Sequence, residues 1–191
     1  MSAENWTDLI SFPGTRPEVV RAVRTHVGRT DTELRISYRL EGDLARVLVP
    51  FPAEPTIGVE LWRHTCFEVF IRTEGATAYH EFNFAPSSQW TIYAFSDYRD
   101  GAPLSDASMS PHIDVRSSAS RLELDATIQL ERLSSHHPHA VLRLGLAAVI
   151  ETSAGLSYWA LHHPADRPDF HNAESFGLRL EPPAHRPSPQ D

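Results

Sequence analysis

The side chains with the most chemistry in this chain lie within residues 61–84, in two runs that alternate between apolar and polar types. Glu68 belongs to the first run, and Glu81 and Asn83 belong to the second. Because successive side chains of a strand face opposite sides of a sheet, these three polar groups share one face of a predicted hairpin. Carboxylates and amides both form hydrogen bonds with hydroxyl groups. The pattern therefore predicts a polar face that can bind a small polar ligand.

Aromatic side chains accompany this polar face. Trp62 precedes the first run, and Trp90 opens the next predicted strand. Aromatic rings can cover the apolar C–H surface of a ligand while neighbouring polar groups bind its hydroxyls. We therefore expect Trp62 and Trp90 to contribute to the site. The alternative is that Glu68 and Glu81 project into solvent from an outer sheet face.

A second dense stretch, residues 158–180, contains three histidines and an aspartate within ten positions. Imidazole and carboxylate groups so close together could hold a transition metal. Their spacing is not that of a zinc motif, and two prolines prevent a helix that would align them. We predict no metal site, and we interpret His171 as a hydrogen-bonding residue that is structural or faces the ligand. The four residues are His162, His163, Asp169 and His171.

Period-two alternation, which is typical of strands, extends over much of the chain. It predicts strands at residues 34–40 and 122–130. Residues 140–150 are apolar on both faces and indicate a central strand, and we also expect strands at 19–27, 45–49 and 89–96, a long loop at 97–111 and one short helical turn within 55–61. Turn-forming residues separate these runs at short intervals. The pattern predicts an all-β fold, namely a single antiparallel β-sandwich, jelly-roll-like, of about ten strands.

Three motifs in this order resemble the DOMON-like domains, which are related to the family-nine carbohydrate-binding modules. They are Trp-x-x-x-Cys-Phe-Glu-Val-Phe-Ile, Tyr-His-Glu-Phe-Asn-Phe-x-Pro-x-x-x-Trp, and Pro-Asp-Phe-His before Phe-Gly. The resemblance covers residues 19–180 and implies a β-sandwich that binds a sugar or haem on its concave sheet. It implies that Trp62 is one of two tryptophans that sandwich a sugar, and that Trp90 or Trp159 is the second. It also allows a structural calcium ion.

We predict a non-catalytic module that binds a saccharide or sugar derivative. The first alternative is a haem-binding electron-transfer module, in which Met109 would pair with His112, His163 or His171. The chain lacks the Cys-x-x-Cys-His attachment signal for haem. The second alternative is a glycoside-processing enzyme that uses two paired carboxylates. A third is a protein–protein interaction module that uses the same sheet.

The amino-acid composition limits the classes of binding partner that we expect. The chain has 191 residues and a net charge of -8, and its 17 basic residues are all arginine. Without a basic patch, neither nucleic acid nor an anionic membrane surface is an expected partner. Cys66 is the only cysteine, and the N-terminus lacks a signal-peptide pattern, so we expect a cytoplasmic protein. The sequence predicts no particular oligomeric state. We predict one domain at residues 1–181 and a disordered Pro-rich tail at residues 182–191.

Overall fold

The computed structural model of the protein describes residues 5–15 and 18–184. Within these residues, twelve strands account for most of the regular structure: β1 (Thr7–Ser11), β2 (Val20–Arg29), β3 (Glu33–Gly42), β4 (Cys66–Thr73), β5 (Tyr79–Phe84), β6 (Trp90–Asp97), β7 (Asp100–Leu104), β8 (His112–Ser117), β9 (Arg121–Gln129), β10 (Leu142–Thr152), β11 (Gly155–Ala160) and β12 (Leu178–Leu180). Helical structure is limited to α1 (Leu130–Leu133) and short 3₁₀ turns at Leu44–Arg46, Leu61–Arg63, Ala107–Met109, His137–His139 and Ala173–Ser175.

The strands form two layers that are joined by β1. One layer, here called the front sheet, has the order β7-β6-β5-β4-β10-β11, with β12 also paired to β10. The other layer, the back sheet, has the order β2-β3-β9-β8. Strand β1 pairs with β2 through Leu9 and with β11 through Ile10, so it passes from one layer to the other. All of these pairings are antiparallel, which confirms the predicted β-sandwich.

The core lies between the two sheets and follows the period-two pattern of their strands. Leu34, Ile36 and Leu40 of β3 are fully buried in the same apolar cluster as Phe67 and Val69 of β4. Burial of such a side chain stabilises the fold by roughly 1.5–3 kcal/mol. The core face of each strand is therefore fixed, and the alternate residues of β4 and β5 must point to the outer side of the front sheet.

A tyrosine links the two sheets directly beneath that outer side. The ring of Tyr38 on β3 stacks on Phe67, with 5.0 Å between the ring centroids. Its hydroxyl donates a hydrogen bond of 2.6 Å to the backbone carbonyl of Glu68. The back sheet thus supports the β4 backbone at the residue that carries one of the predicted site carboxylates.

Two sequence predictions are wrong in detail. Residues 45–49 do not form a strand, because the chain here crosses between the sheets: a 3₁₀ turn precedes Val47, which makes a single bridge to Thr152. The predicted long loop at residues 97–111 contains β7, whose Gly101 and Pro103 are unusual in strands. Strand β7 lies at the edge of the front sheet, where such residues are tolerated. Strands β1, β8, β11 and β12 have no counterpart in the prediction, and the helical turn predicted within residues 55–61 lies instead at Leu61–Arg63.

Part of the predicted C-terminal tail lies outside the described residues. Residues 182–184 follow β12 without regular structure, and the structure does not describe residues 185–191. No helix in the described part of the chain is long and apolar enough to span a membrane.

Candidate functional site

The outer side of the front sheet gathers the predicted polar residues. In the β4–β5 hairpin Glu68 lies opposite Asn83, and Phe70 lies opposite Glu81. The two glutamates are therefore diagonal neighbours on one face, a relation that places backbone positions about 7–8 Å apart. Strand β6 continues the face, because Tyr93 lies opposite Glu81. The predicted polar face is formed as the alternation of residue types indicated.

A loop closes over this face and makes it a cavity. Residues 161–177, here called the covering loop, connect β11 to β12. The volume of this half-open cavity is about 480 Å³, within the range of about 300–1,000 Å³ that is usual for small-molecule sites. The cavity is lined by polar, aromatic and aliphatic residues: Trp62, Arg63, Glu68, Glu81, Tyr93, Phe95, Arg99, Gly101, Val149, Leu156, Tyr158, Pro168, Phe170 and His171.

Two buried carboxyl groups, here called the carboxyl pair, lie in the cavity wall. Glu68 is 3% exposed and Glu81 is 4% exposed. Burial, and then repulsion from Glu81, raises the pKa of Glu68 well above its usual range. Burial raises the pKa of Glu81 to about 7, against the hydrogen bond from Asn83 and the positive charge of Arg99. Near neutral pH the pair therefore holds protons that exposed carboxylates would have lost.

Asn83 positions one member of this pair. Its side-chain amide nitrogen donates a hydrogen bond of 2.6 Å to Oε1 of Glu81. The amide is fully buried below the sheet surface and does not line the cavity. The sequence placed Asn83 correctly on the polar face, and the structure gives it the position of a support for Glu81.

His171 of the covering loop lies against the floor of the cavity. Its Nδ1 is 2.9 Å from the Tyr79 hydroxyl, and its ring makes edge contacts with Phe70 and Phe95 at centroid distances of 5.2 and 5.1 Å. Burial, and then the charge of Arg99, lowers the pKa of His171 to about 4. The imidazole is therefore neutral near pH 7, and its contact of 3.6 Å with Glu81 is not an ion pair there.

The tautomer of His171 follows from the hydrogen bonds of Tyr79. The Tyr79 hydroxyl accepts a hydrogen bond from the backbone N–H of Arg99 at 3.2 Å, so its own hydrogen is free to be donated to Nδ1 of His171. We assign the imidazole hydrogen to Nε2, the nitrogen that faces Glu81. This arrangement gives the cavity a neutral donor beside a carboxyl group.

Arg99 fastens the covering loop to the front sheet. It lies in the β6–β7 turn with a φ of 56°, in the left-handed region. Its guanidinium donates to Oδ1 of Asp169 at 2.9 Å, and the Tyr98 hydroxyl donates to Oδ2 of the same carboxylate at 2.7 Å. Burial acts to raise the pKa of Asp169, but these two hydrogen bonds outweigh it and hold the pKa below its usual value. Asp169 is thus an anchor of the loop.

The structure separates the three tryptophans of the predicted site. Trp62 is 42% exposed and lines the cavity, as predicted. Trp90 and Trp159 are 2% and 3% exposed and belong to the core between the sheets. Trp90 pairs with Phe84 and shares its inward face, so the expectation that Trp90 or Trp159 provides the second stacking ring is corrected.

Other aromatic residues line the cavity instead. Tyr93 and Phe95 alternate with Ile92 and Ala94 along β6, and Tyr93 lies opposite Glu81. These two residues were not among those predicted, although the alternation along β6 is a signal that could have identified them. Tyr158 of β11 also reaches the cavity, although β11 is separated from β5 by two strands. No local pattern marks Arg99, because its role depends on contact with a loop 70 residues away in sequence.

The residues named for metal or haem are dispersed. Among the described residues, no group of three or more His, Cys, Asp or Glu side chains is arranged to hold a metal ion. Met109 packs against the core between the sheets, whereas His171 lies on the outer side of the front sheet. His112 is exposed on β8, and Nε2 of His163 is 2.8 Å from the carbonyl of Ile10.

Known structures share this architecture. No family model and no curated protein matches the chain. The crystal structure of a candidate carbohydrate-binding protein from Bacteroides uniformis ATCC 8492 matches with a TM-score of 0.70 and 14% identity, over 88% of this chain and 82% of that one. A family-nine carbohydrate-binding module from Caldicellulosiruptor kristjanssonii in complex with glucose matches with a TM-score of 0.51 and 9% identity, over 91% of this chain and 78% of that one. A family-nine module from the same organism in complex with cellotriose matches with a TM-score of 0.52 and 9% identity, over 91% of this chain and 76% of that one. At these identities the likeness establishes a shared fold.

Proposed function

We propose that this protein is a non-catalytic module that binds a saccharide in the cavity of the front sheet. The observation that carries the proposal is the buried carboxyl pair, set among aromatic side chains under the covering loop. A sugar offers hydroxyl groups to the carboxyls and to His171, and it offers C–H faces to rings such as those of Trp62 and Tyr158. The affiliation with DOMON-like domains stays a prediction.

The shared fold adds support. Two of the similar structures hold glucose and cellotriose. Fold alone does not define a ligand, so the proposal depends on the side chains in this cavity. The cavity volume of about 480 Å³ is in keeping with a short saccharide as the ligand.

A glycosidase is the second candidate, because two glutamates with raised pKa values share the cavity. Glycosidases place their two carboxyl groups on either side of the scissile bond. Glu68 and Glu81 lie on adjacent strands of one sheet, and the similar structures that hold saccharides are carbohydrate-binding modules. We therefore favour binding without catalysis. Incubation with cellotriose and aryl glycosides should release no product, and turnover that Glu68→Gln abolishes would contradict this conclusion.

Calorimetric titration with glucose, cellotriose and a wider glycan panel tests saccharide binding. We expect a Kd of about 10⁻³–10⁻⁵ M, which corresponds to about -4 to -7 kcal/mol. Tryptophan emission should change in parallel, because Trp62 lies in the cavity wall. Absence of heat and of any emission change across the panel would overturn the proposal.

A further inference from the structure

Among the described residues, no arginine forms an ion pair with the carboxyl pair. Glu68 is only 3% exposed. In the part of the chain that the structure describes, no group donates a hydrogen bond to its carboxyl oxygens. Glu81 receives one hydrogen bond, from Asn83, and its other oxygen faces the neutral imidazole of His171. Buried carboxyl groups are ordinarily paired with cations or with several donors. This pair has acceptor positions that the protein leaves open toward the cavity.

The cations that line the cavity are already engaged. The Arg99 guanidinium is 2.9 Å from Asp169, and the Arg63 guanidinium is 2.8 Å from Glu60. In each case one basic group is matched by one acidic group, so neither ion pair adds net charge. The charge of Arg99 lowers the pKa of both carboxyl groups, but burial outweighs it, so most of the charge that Glu68 and Glu81 develop on ionisation is uncompensated within the cavity.

The remaining walls favour a cation as well. Aromatic rings from β6, β11 and the covering loop, together with that of Trp62, line the same cavity as the carboxyl pair. The faces of such rings attract a cation through their quadrupole, and the attraction grows as the site is desolvated. A wall of rings beside two carboxyl groups therefore suits a ligand with an ammonium group better than one that carries hydroxyls alone.

We propose that the saccharide bound in this cavity carries a protonated amine, as in an amino sugar whose nitrogen is not acetylated. This inference rests on the proposed function and names the ligand class of the same site. The ammonium group donates hydrogen bonds to Glu68 and Glu81, and the rest of the sugar lies against the aromatic rings. Because a cation beside a carboxyl group lowers its pKa, binding releases the protons of the pair to solvent and leaves carboxylates facing the ammonium. An acetylated amine lacks the charge and adds bulk, so it is rejected.

Three β-1,4-linked trisaccharides of glucose-type sugars test the proposal, because they differ only at position 2: hydroxyl in cellotriose, free amine in the glucosamine trimer and acetamide in the N-acetylglucosamine trimer. Titration calorimetry at neutral pH gives their Kd values. We expect the glucosamine trimer to bind at least about tenfold more tightly than either of the others, a ratio that corresponds to ~1.4 kcal/mol. Raising the salt concentration should weaken its binding more than that of cellotriose.

Variants assign the preference to the carboxyl pair. In Glu68→Gln and Glu81→Gln the advantage of the glucosamine trimer should fall to less than about threefold, since each change removes one carboxylate partner of the ammonium. Glu74→Gln is the control, because it removes one acidic charge from the β4–β5 turn, where Glu74 pairs with Arg143 and Arg179. The control should keep the wild-type preference.

The outcomes separate this inference from the proposed function. Equal or tighter binding of cellotriose would overturn the amine proposal and leave saccharide binding in place. A preference for the amine that survives both glutamine substitutions would also overturn it, because the carboxyl pair would not be its source. Failure of all three trisaccharides and of the wider panel would overturn both.

Discussion

At the residue scale, the carboxyl pair determines how the protein responds to pH. Burial raises the pKa of Glu81 to about 7, and it raises the pKa of Glu68 well above its usual range. The folded state therefore retains protons that the unfolded chain releases near pH 4.5. This contribution to stability is complete below the unfolded pKa and is lost as the pH rises through about 7. His171 and His137, whose pKa values are lowered to about 4, act in the opposite direction below pH 6.5.

The first prediction compares variants that share those histidines, so that the histidine contribution to the pH response cancels. Between pH 6.5 and 8.5 the wild type should lose roughly 1 kcal/mol of stability relative to the Glu68→Gln/Glu81→Gln double variant as Glu81 ionises, and ionisation of Glu68 would add to this difference. The double variant itself should gain stability over this range, because the unfolded chain releases the protons of His171 and His137. Urea denaturation at the two pH values measures the difference, with Glu74→Gln as a control that keeps the wild-type response. An equal pH response in the wild type and the double variant would contradict the assignment.

The second prediction compares two tryptophans. Trp62→Ala should weaken ligand binding at least about tenfold, because a ring at the cavity wall is lost, and should change stability by less than about 0.5 kcal/mol. Trp90→Ala should destabilise the protein by about 3–5 kcal/mol, because the ring is in the core. Calorimetric titration and urea denaturation distinguish the two effects. A strongly destabilised Trp62→Ala variant would mean that this residue supports the fold.

At the element scale, the covering loop depends on close contact with a glycine of β10. The Phe176 ring stacks on Phe70 with 5.6 Å between centroids, next to Tyr79 and His171. A Cβ at Gly145 would come within 2.7 Å of the Phe176 ring. Absence of a side chain at Gly145 is therefore what allows the loop to lie on the sheet.

The third prediction tests this contact. Gly145→Ala should force the Phe176 ring away, cost about 1–3 kcal/mol in stability and weaken ligand binding through displacement of His171. Gly28→Ala on β2 is the matched control, since an added Cβ there meets no atom within 4 Å. Thermal melting and ligand titration of both variants provide the measurements. Unchanged melting and binding in Gly145→Ala would mean that the loop adapts without cost.

At the scale of the whole molecule, the site is built on one sheet and stabilised by the other. Tyr38 of the back sheet reaches the Glu68 carbonyl through a buried hydrogen bond, so the two layers meet below the carboxyl pair. Strand β1 joins the same layers at a second place. The position of the β4 backbone under the cavity therefore depends on the packing of the entire sandwich.

The fourth prediction concerns this link. Tyr38→Phe should lower the free energy of unfolding by about 0.5–1.5 kcal/mol, because it removes the hydrogen bond and keeps the ring that stacks on Phe67. Tyr158→Phe, on the outer side of the front sheet, should leave stability unchanged within about 0.5 kcal/mol. Urea denaturation of the two variants tests the difference. A neutral Tyr38→Phe would show that the inter-sheet hydrogen bond adds no net stability.

The sequence alone determined the fold class and the polar face. Alternation in β3 and β9 identifies strands with one buried side, because side-chain direction in a strand is a local property of the backbone. For the same reason Glu68, Glu81 and Asn83 could be assigned to one face without knowledge of the remaining chain. Strand β7 escaped detection, because whether glycine and proline are tolerated depends on its place at the sheet edge.

Only the tertiary structure decided which groups meet across that face. His171 reaches the cavity, and Asp169 reaches Arg99, through the docking of the covering loop, which depends on contacts between residues far apart in sequence. The low pKa of His171 and the raised pKa values of the carboxyl pair arise from burial, which a list of residues does not contain. A local pattern sets the direction of a side chain, whereas its neighbours and its access to water are set by the packing of the whole chain.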